Sequence, residues 1–171
     1  HQVFLEGNNG SVTVKDSFSF YIPPTTNVAA LPPGAVEGIN YNANNTEVTL
    51  VLYAPGKNNV VAGGDFSNWT NQCTYQMNRT PDANYYWITL TGLTPGQEYG
   101  YQYLIDNNIK TADPYTQKVL DPDDQFINAT TYPSLKPYPT GLTTGQVSIF
   151  QTAEPQYSWQ VNNFSKPDKR N

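Results

Sequence analysis

The sequence predicts an all-β protein built as an antiparallel β-sandwich, and three observations carry that expectation. Apolar residues alternate with polar ones at period two in segment after segment, the pattern of strands that bury one face. Pro or Gly interrupts most windows long enough for a helix, and turn residues fall between the alternating runs. The composition pairs 13% aromatic residues, including 13 Tyr, with only 13% charged residues. Abundant aromatic and β-branched side chains argue against disorder, and 171 residues suffice for one good core with appendages.

The elements follow in order. Residues 1–22 form a hairpin: Val3-Phe4-Leu5, a Gly7-Asn8-Asn9-Gly10 turn, then a strand with Val12, Val14, Phe18, Phe20 and Ile22 on one face. An isolated hairpin is marginal in water, so this one either docks on the rest of the chain or is the end of an upstream β-domain. Pro23-Pro24 and Pro32-Pro33-Gly34 mark a linker, closing a first region at 1–30. Three alternating strands dominate the central region, 31–128: 47–53 with Val48, Leu50 and Leu52; 85–90 with Tyr86, Ile88 and Leu90; and 99–105 with Tyr99, Tyr101, Tyr103 and Ile105. Pro55-Gly56, Pro81-Asp82, Thr94-Pro95-Gly96 and Asn107-Asn108 supply the turns. Facing strands of this kind pack as two sheets. Residues 129–171 hold five prolines around one strand, Gln146–Phe150, and read as an extended linker. Tyr157, Trp159 and Phe164 look like anchors there, and Lys166, Lys169 and Arg170 make a short basic end.

Bulk properties exclude several function classes. A net charge of −5 disfavours nucleic acid, which needs a basic surface. No apolar run approaches the roughly 20 residues of a membrane span. A single cysteine, Cys73, excludes an internal disulfide framework and reads as a small packing residue. No cofactor and no metal site is expected. His1 lacks partners, and Asp121-Pro122-Asp123-Asp124 lacks the alternate-position spacing of a calcium loop, so it reads as a solvated acidic turn. The chain begins at His1, so a leader or upstream domain could have preceded it.

Trp69, in the turn Gly63-Gly64-Asp65-Phe66-Ser67-Asn68-Trp69, is the leading candidate for ligand contact. The C–H face of a pyranose stacks on flat aromatic surfaces, so an exposed Trp at a strand end makes a sugar platform. The competing reading, which has the edge from residues alone, is a Trp that plugs the end of the sandwich with its indole N–H on a backbone carbonyl. Asp65 and Asn68 read as turn formers. Trp87 and Tyr85 lie opposite the Tyr86/Ile88/Leu90 face and are expected to pack on a neighbouring domain. Asp106, Asp113, Asp121, Asp123 and Asp124 are the candidates for a hydrolytic carboxylate pair. They fall in turns where Asp serves the backbone, and the strand–helix alternation of a barrel is missing, so no catalytic residue is assigned. Asn-x-Ser/Thr sequons occur at Asn9, Asn44, Asn68, Asn78, Asn128 and Asn163. They bear on the chain only in a secretory eukaryotic context.

The Gly-Asp-Phe-Ser-Asn-Trp turn of 64–69 and the Tyr-Leu-Ile-Asp-Asn run of 103–107 resemble the family 48 carbohydrate-binding module, an immunoglobulin-like sandwich, over roughly 36–127. The stretch from Ala112-Asp113-Pro114-Tyr115 to Tyr138-Pro139 resembles the segment joining such a module to the catalytic barrel of family 13 glycoside hydrolases, α-amylase-like enzymes of Bacteroidetes type. In glycogen-binding members, a Trp matching Trp69 stacks on glucose. A Lys in the next strand bonds hydroxyls, and a second Trp after the following turn completes the platform. This chain has Gln102 at the Lys position and Ile109 at the second Trp position. Gln102 can still bond a hydroxyl, whereas Ile109 offers no ring. Members joined to barrels often lack glucan affinity and act as docking domains.

The resemblance therefore implies an immunoglobulin-like β-sandwich with an N-terminal hairpin and a C-terminal linker. The chain is expected to be a non-catalytic module that docks on an α-amylase-family barrel beginning beyond Asn171. α-Glucan would be contacted through Trp69, Gln102 and Asn68. The alternative is a structural spacer or a protein-binding sandwich. Export to the periplasm, cell envelope or medium of a bacterium is implied, and a free strand in residues 1–22 makes a strand-swapped dimer plausible.

Overall fold

The computed structural model describes residues 2–19, 22–156, 158–160 and 165. The expectations placed on His1, Phe20, Tyr157, Asn163, Phe164, Lys166, Lys169 and Arg170 lie outside the described residues. Among the described residues eleven strands occur in chain order: β1 (Gln2–Asn8), β2 (Thr13–Ser19), β3 (Gly38–Tyr41), β4 (Val48–Tyr53), β5 (Val60–Gly64), β6 (Asn78–Arg79), β7 (Tyr85–Leu90), β8 (Glu98–Ile105), β9 (Ile109–Thr111), β10 (Lys118–Leu120) and β11 (Val147–Gln151). Among the described residues there is no α-helix, only short 3-10 turns at Asp65–Ser67, Cys73–Tyr75 and Pro122–Phe126.

The strands form an immunoglobulin-like antiparallel sandwich and a separate hairpin. One sheet has the order β3-β4-β7-β6. The other runs β10-β11-β8-β5, with β9 also paired to β8. β11 meets β8 over 98–101 and β9 meets it over 103–105, so Gln102 falls between these two pairings. The expected alternation is observed: Val48, Leu50, Leu52, Tyr86, Ile88 and Leu90 face Tyr99, Tyr101, Tyr103, Ile105 and Phe150 across one core. Phe150 stacks on Tyr99 at 5.4 Å and meets Tyr101 at 5.5 Å, ring contacts worth about 0.5–1.5 kcal/mol each beyond area burial.

A core this rich in phenols needs partners for their hydroxyls, since an unpaired buried O–H costs about 1–3 kcal/mol. Asp113 supplies two of them. Its Oδ2 accepts from Tyr101 at 2.7 Å and Tyr103 at 2.9 Å, while its Oδ1 accepts from the Tyr115 N–H at 2.8 Å. Ser148 Oγ receives the Asp113 N–H at 2.7 Å. Tyr86 donates to the Lys57 carbonyl.

Three features differ from the sequence expectation. Val147–Gln151, inside the stretch expected as linker, is an interior strand flanked by β10 and β8, so the sandwich takes in residues beyond 128. Its Val147, Ser148, Ile149 and Phe150 are all buried, which four consecutive residues achieve only when both sheet faces are covered. Cys73 is exposed rather than packed. Trp87 is covered from within the chain: its indole N–H donates to the Ala29 carbonyl at 3.1 Å, because residues 27–29 run beside β6. The hairpin strands pair with each other through Val3↔Phe18 to Gly7↔Val14, and Phe4, Leu5, Val14 and Phe18 stay exposed. Trp159 is also exposed.

Candidate functional site

Strand β5 ends at Gly64, and a 3-10 turn over Asp65–Ser67 reverses the chain. Ser67 Oγ closes the turn, accepting from the Gly64 N–H and donating to the Gly64 carbonyl, both at 3.0 Å. Asn68 and Trp69 then adopt left-handed conformations, with φ of 49° and 58°. That conformation suits Asn and is unusual for a residue as bulky as Trp, at a cost of about 1–3 kcal/mol. Two bonds hold it. The Trp69 N–H donates to the Gly64 carbonyl at 2.9 Å, and the indole Nε1–H donates to Asp65 Oδ1 at 2.9 Å. Asp65 is thus more than a turn former. Its Oδ2 accepts from the Gly100 N–H at 2.7 Å and pairs with Lys136 Nζ at 3.0 Å.

This turn delivers Trp69 onto the outer face of the larger sheet. One edge of the ring lies over Gly100, where an added Cβ would come within 3.3 Å of it. Its flank packs against Leu120, Val147 and Ile149 together with Leu135 and Tyr138. The side chain is half-buried and borders a shallow groove lined by Gly63, Asn71, Leu104, Lys110, Leu142 and Thr143. Gly63 forms the floor, with no atom within 4 Å of where a Cβ would stand. Lys110 is exposed and donates to Thr143 Oγ1 at 3.1 Å. The wall therefore carries an ammonium group next to a flat ring.

The three residues expected at the site divide. Trp69 is there. Asn68 is exposed beside it in the turn. Gln102 touches the groove, but its side chain is already engaged. It is 4% exposed, its Nε2 donates to the Thr144 carbonyl at 2.9 Å and the Gln146 carbonyl at 2.6 Å, and its Oε1 accepts from Thr143 Oγ1 at 2.5 Å. The physical reason is its position between the β9 and β11 pairings, where the 143–146 loop needs hydrogen-bond partners. Gln102 fastens that loop instead of offering its amide outward.

Ile109 pairs with Ile105, whose side chain is in the core, so Ile109 points away from the groove. Lys110 pairs with Leu104 and shares the face of Gln102. Sequence reasoning missed Lys110, although counting period two outward from the Asp106–Asn108 turn would have found it. Gly63 and Lys136 carried no signal of their own.

The remaining candidates serve the backbone or the core. Asp106 Oδ1 accepts from the Asn58 and Asn59 N–H groups at 2.8 and 3.1 Å. Asp121 and Asp124 form a reciprocal cap on the Pro122–Phe126 turn. A larger hollow of about 380 Å³ lies at Phe66, Tyr75, Leu90, Leu93 and Tyr99. There the Tyr75 hydroxyl is bonded to the Phe66 carbonyl at 2.6 Å and its ring packs on Phe66 at 5.1 Å.

Fold and site together define a class, an immunoglobulin-like sandwich that presents an aromatic side chain over a groove on one outer sheet face. Residues 38–116, just under half of the chain, match the family model of carbohydrate-binding module 48 (isoamylase N-terminal domain). No curated protein matches. Among solved structures, the chain is similar to the pullulanase SAP of Group B Streptococcus, also solved with maltotetraose. For the maltotetraose complex the identity is 19% and the TM-score 0.42, with 56% of this chain and 13% of that chain covered. It is also similar to the catalytic module of the glycogen-degrading pneumococcal virulence factor SpuA, at 18% identity and a TM-score of 0.45, covering 77% of this chain and 19% of that one. The chain thus spans less than a fifth of the length of either.

Proposed function

We propose that this chain is a non-catalytic module that binds α-glucan on the outer face of its larger sheet, and that it belongs to an exported α-amylase-family enzyme whose barrel it docks against. The observation that carries this reading is Trp69. A bulky residue in a left-handed backbone conformation, with its indole N–H fixed by Asp65, borders a groove whose floor is a glycine. The match of residues 38–116 to a carbohydrate-binding family supports the ligand class.

A glucose unit would lay its C–H face on the indole, with its rim hydroxyls within reach of Lys110 and the exposed Asn68 and Asn71. Covering roughly 100–150 Å² of apolar surface contributes about 3 kcal/mol. Two hydroxyl hydrogen bonds add about 2 kcal/mol. Loss of translational and rotational freedom offsets most of this, so binding is weak, with Kd of about 1 mM or above.

The test is a tryptophan-fluorescence titration with maltoheptaose, using the parent chain, Trp69→Ala and Gly63→Val. A Cβ added at Gly63 meets nothing within 4 Å, so a Val side chain there projects into the groove. A saturable signal in the parent chain, lost in both variants while circular dichroism is unchanged, is expected. Absence of any signal up to about 10 mM sugar, or its survival in Gly63→Val, would overturn the assignment. Absence of signal would leave Trp69 as a packing residue in a docking spacer, and survival in Gly63→Val would move the sugar off this groove.

A further inference from the structure

Residues 132–138 cross the outer sheet face beside Trp69 and are tied down at three places. The Tyr132 hydroxyl accepts from Lys118 Nζ at 3.0 Å, Lys136 Nζ pairs with Asp65 Oδ2 at 3.0 Å, and the Tyr138 hydroxyl donates to the Gly145 carbonyl at 2.9 Å. Leu135 and Tyr138 pack with Trp69 on the same apolar cluster. The middle tie is the informative one. The carboxylate that Lys136 grips through Oδ2 holds the indole N–H through Oδ1. Both side chains of the pair are about three-quarters buried, at 24% and 25% exposure, so solvent screens the pair less than a surface pair. Lys136 itself is not among the residues lining the groove.

We propose that Lys136 is a positioning residue for Trp69, acting through Asp65, so that the strap 132–138 sets the orientation of the aromatic platform. In its role as a sugar site this rests on the reading above; as a statement about the indole it does not. With the ammonium in place, Asp65 is held between the Gly100 N–H, Lys136 and the indole, and its carboxylate plane is fixed. Without it, Oδ2 retains only the Gly100 N–H, and the carboxylate can rotate about that bond and carry the indole with it. A displacement of the strap would therefore be felt at the glucan surface without any contact between strap and sugar.

The experiment uses the full chain and follows the indole Nε1–H resonance of Trp69, assigned with Trp69→Phe, alongside maltoheptaose affinity. Lys136→Met keeps the apolar stem and removes the charge. It is expected to shift the Trp69 resonance and weaken maltoheptaose binding 3- to 10-fold. Lys136→Arg is expected to restore both. In an Asp65→Asn background, Lys136→Met should no longer move the resonance, an outcome that general destabilisation would not give. Should Lys136→Met fail to fold, Lys136→Gln carries the same comparison. An unchanged resonance in the Lys136 variants, or a shift that persists in Asp65→Asn, overturns the proposal. If the parent chain binds no maltoheptaose, the glucan reading fails, and the resonance alone still decides whether Lys136 positions Trp69.

Discussion

Two phenols and one carboxylate hold the centre of the larger sheet together. Tyr101 and Tyr103 are fully enclosed, and both donate to the same oxygen of Asp113. Burial raises both phenols above their usual pKa, reinforced for each by the Asp113 charge and for Tyr101 by its neighbour Tyr103. In the unfolded chain the same phenols ionise near pH 10. Native phenols with raised pKa values keep their protons where the unfolded chain has lost them. Their contribution is complete below about pH 10 and shrinks as pH climbs beyond it, by about 1.4 kcal/mol per phenol per pH unit. Urea unfolding at pH 9, 10 and 11 should show stability falling between the last two points, less steeply in Tyr101→Phe. A flat profile would mean that the phenols are not sealed. The sequence shows Tyr101 and Tyr103 as core residues by their alternation with Gln102, but not that Asp113 is their acceptor. A carboxylate in an Asp-Pro bend looks like any turn residue until the bend is folded against β8.

At the scale of elements, the junction on β8 explains what sequence reading found and what it missed. Strands β4, β7 and β8 were legible because their core-facing residues recur at period two, although only β7 alternates in burial and β4 and β8 are covered on both faces along most of their length. Strand β11 was legible as a strand but not as part of the sandwich, since nothing in Val147-Ser148-Ile149-Phe150-Gln151 names its neighbours. Placing it between β10 and β8 leaves a gap before β9, and the Gln102 amide fills that gap with three hydrogen bonds to residues 143–146. Gln102→Leu would keep the volume and strip those partners, leaving two carbonyls and a hydroxyl to find water. The expected cost is about 2–3 kcal/mol, with faster amide exchange concentrated in 143–151. Equal exchange in both proteins would assign the loop's order to something else. The same junction explains why the Gln102 amide is turned inward, and why Lys110, one strand over, occupies the groove wall. For the site as a whole, the sequence reveals the Trp69 turn through its Gly-Gly-Asp-Phe-Ser-Asn-Trp string, whereas Lys110, Gly63 and Lys136 come together only through register and strap placement.

For the molecule as a whole, two regions differ in what sustains them. The sandwich has a continuous two-sheet core. In the hairpin, β1 and β2 pair with each other, Lys15 and Glu6 add an exposed ion pair at 3.2 Å, and one face shows Leu5, Val14 and Phe18 to solvent. An exposed pair of this kind contributes little, about 0–1 kcal/mol, and a two-stranded ribbon is marginal alone. Removing residues 1–19 should therefore leave the main thermal transition within about 2 °C of the parent chain while lowering binding of the apolar dye ANS. A fall of the midpoint beyond that would show that the hairpin contributes to the stability of the sandwich.

The late position of β11 in the chain has a consequence for synthesis. Strand β8 is complete at residue 105, yet one of its edges waits for residues 147–151. At roughly 5–20 residues per second, several seconds pass before that partner leaves the ribosome. Throughout that interval a tyrosine-rich strand has an open edge and no acceptor from Ser148 behind Asp113. A nascent chain of this protein thus stays unlocked until residues 147–151 have emerged, and any helper that shields β8 has to act within that window.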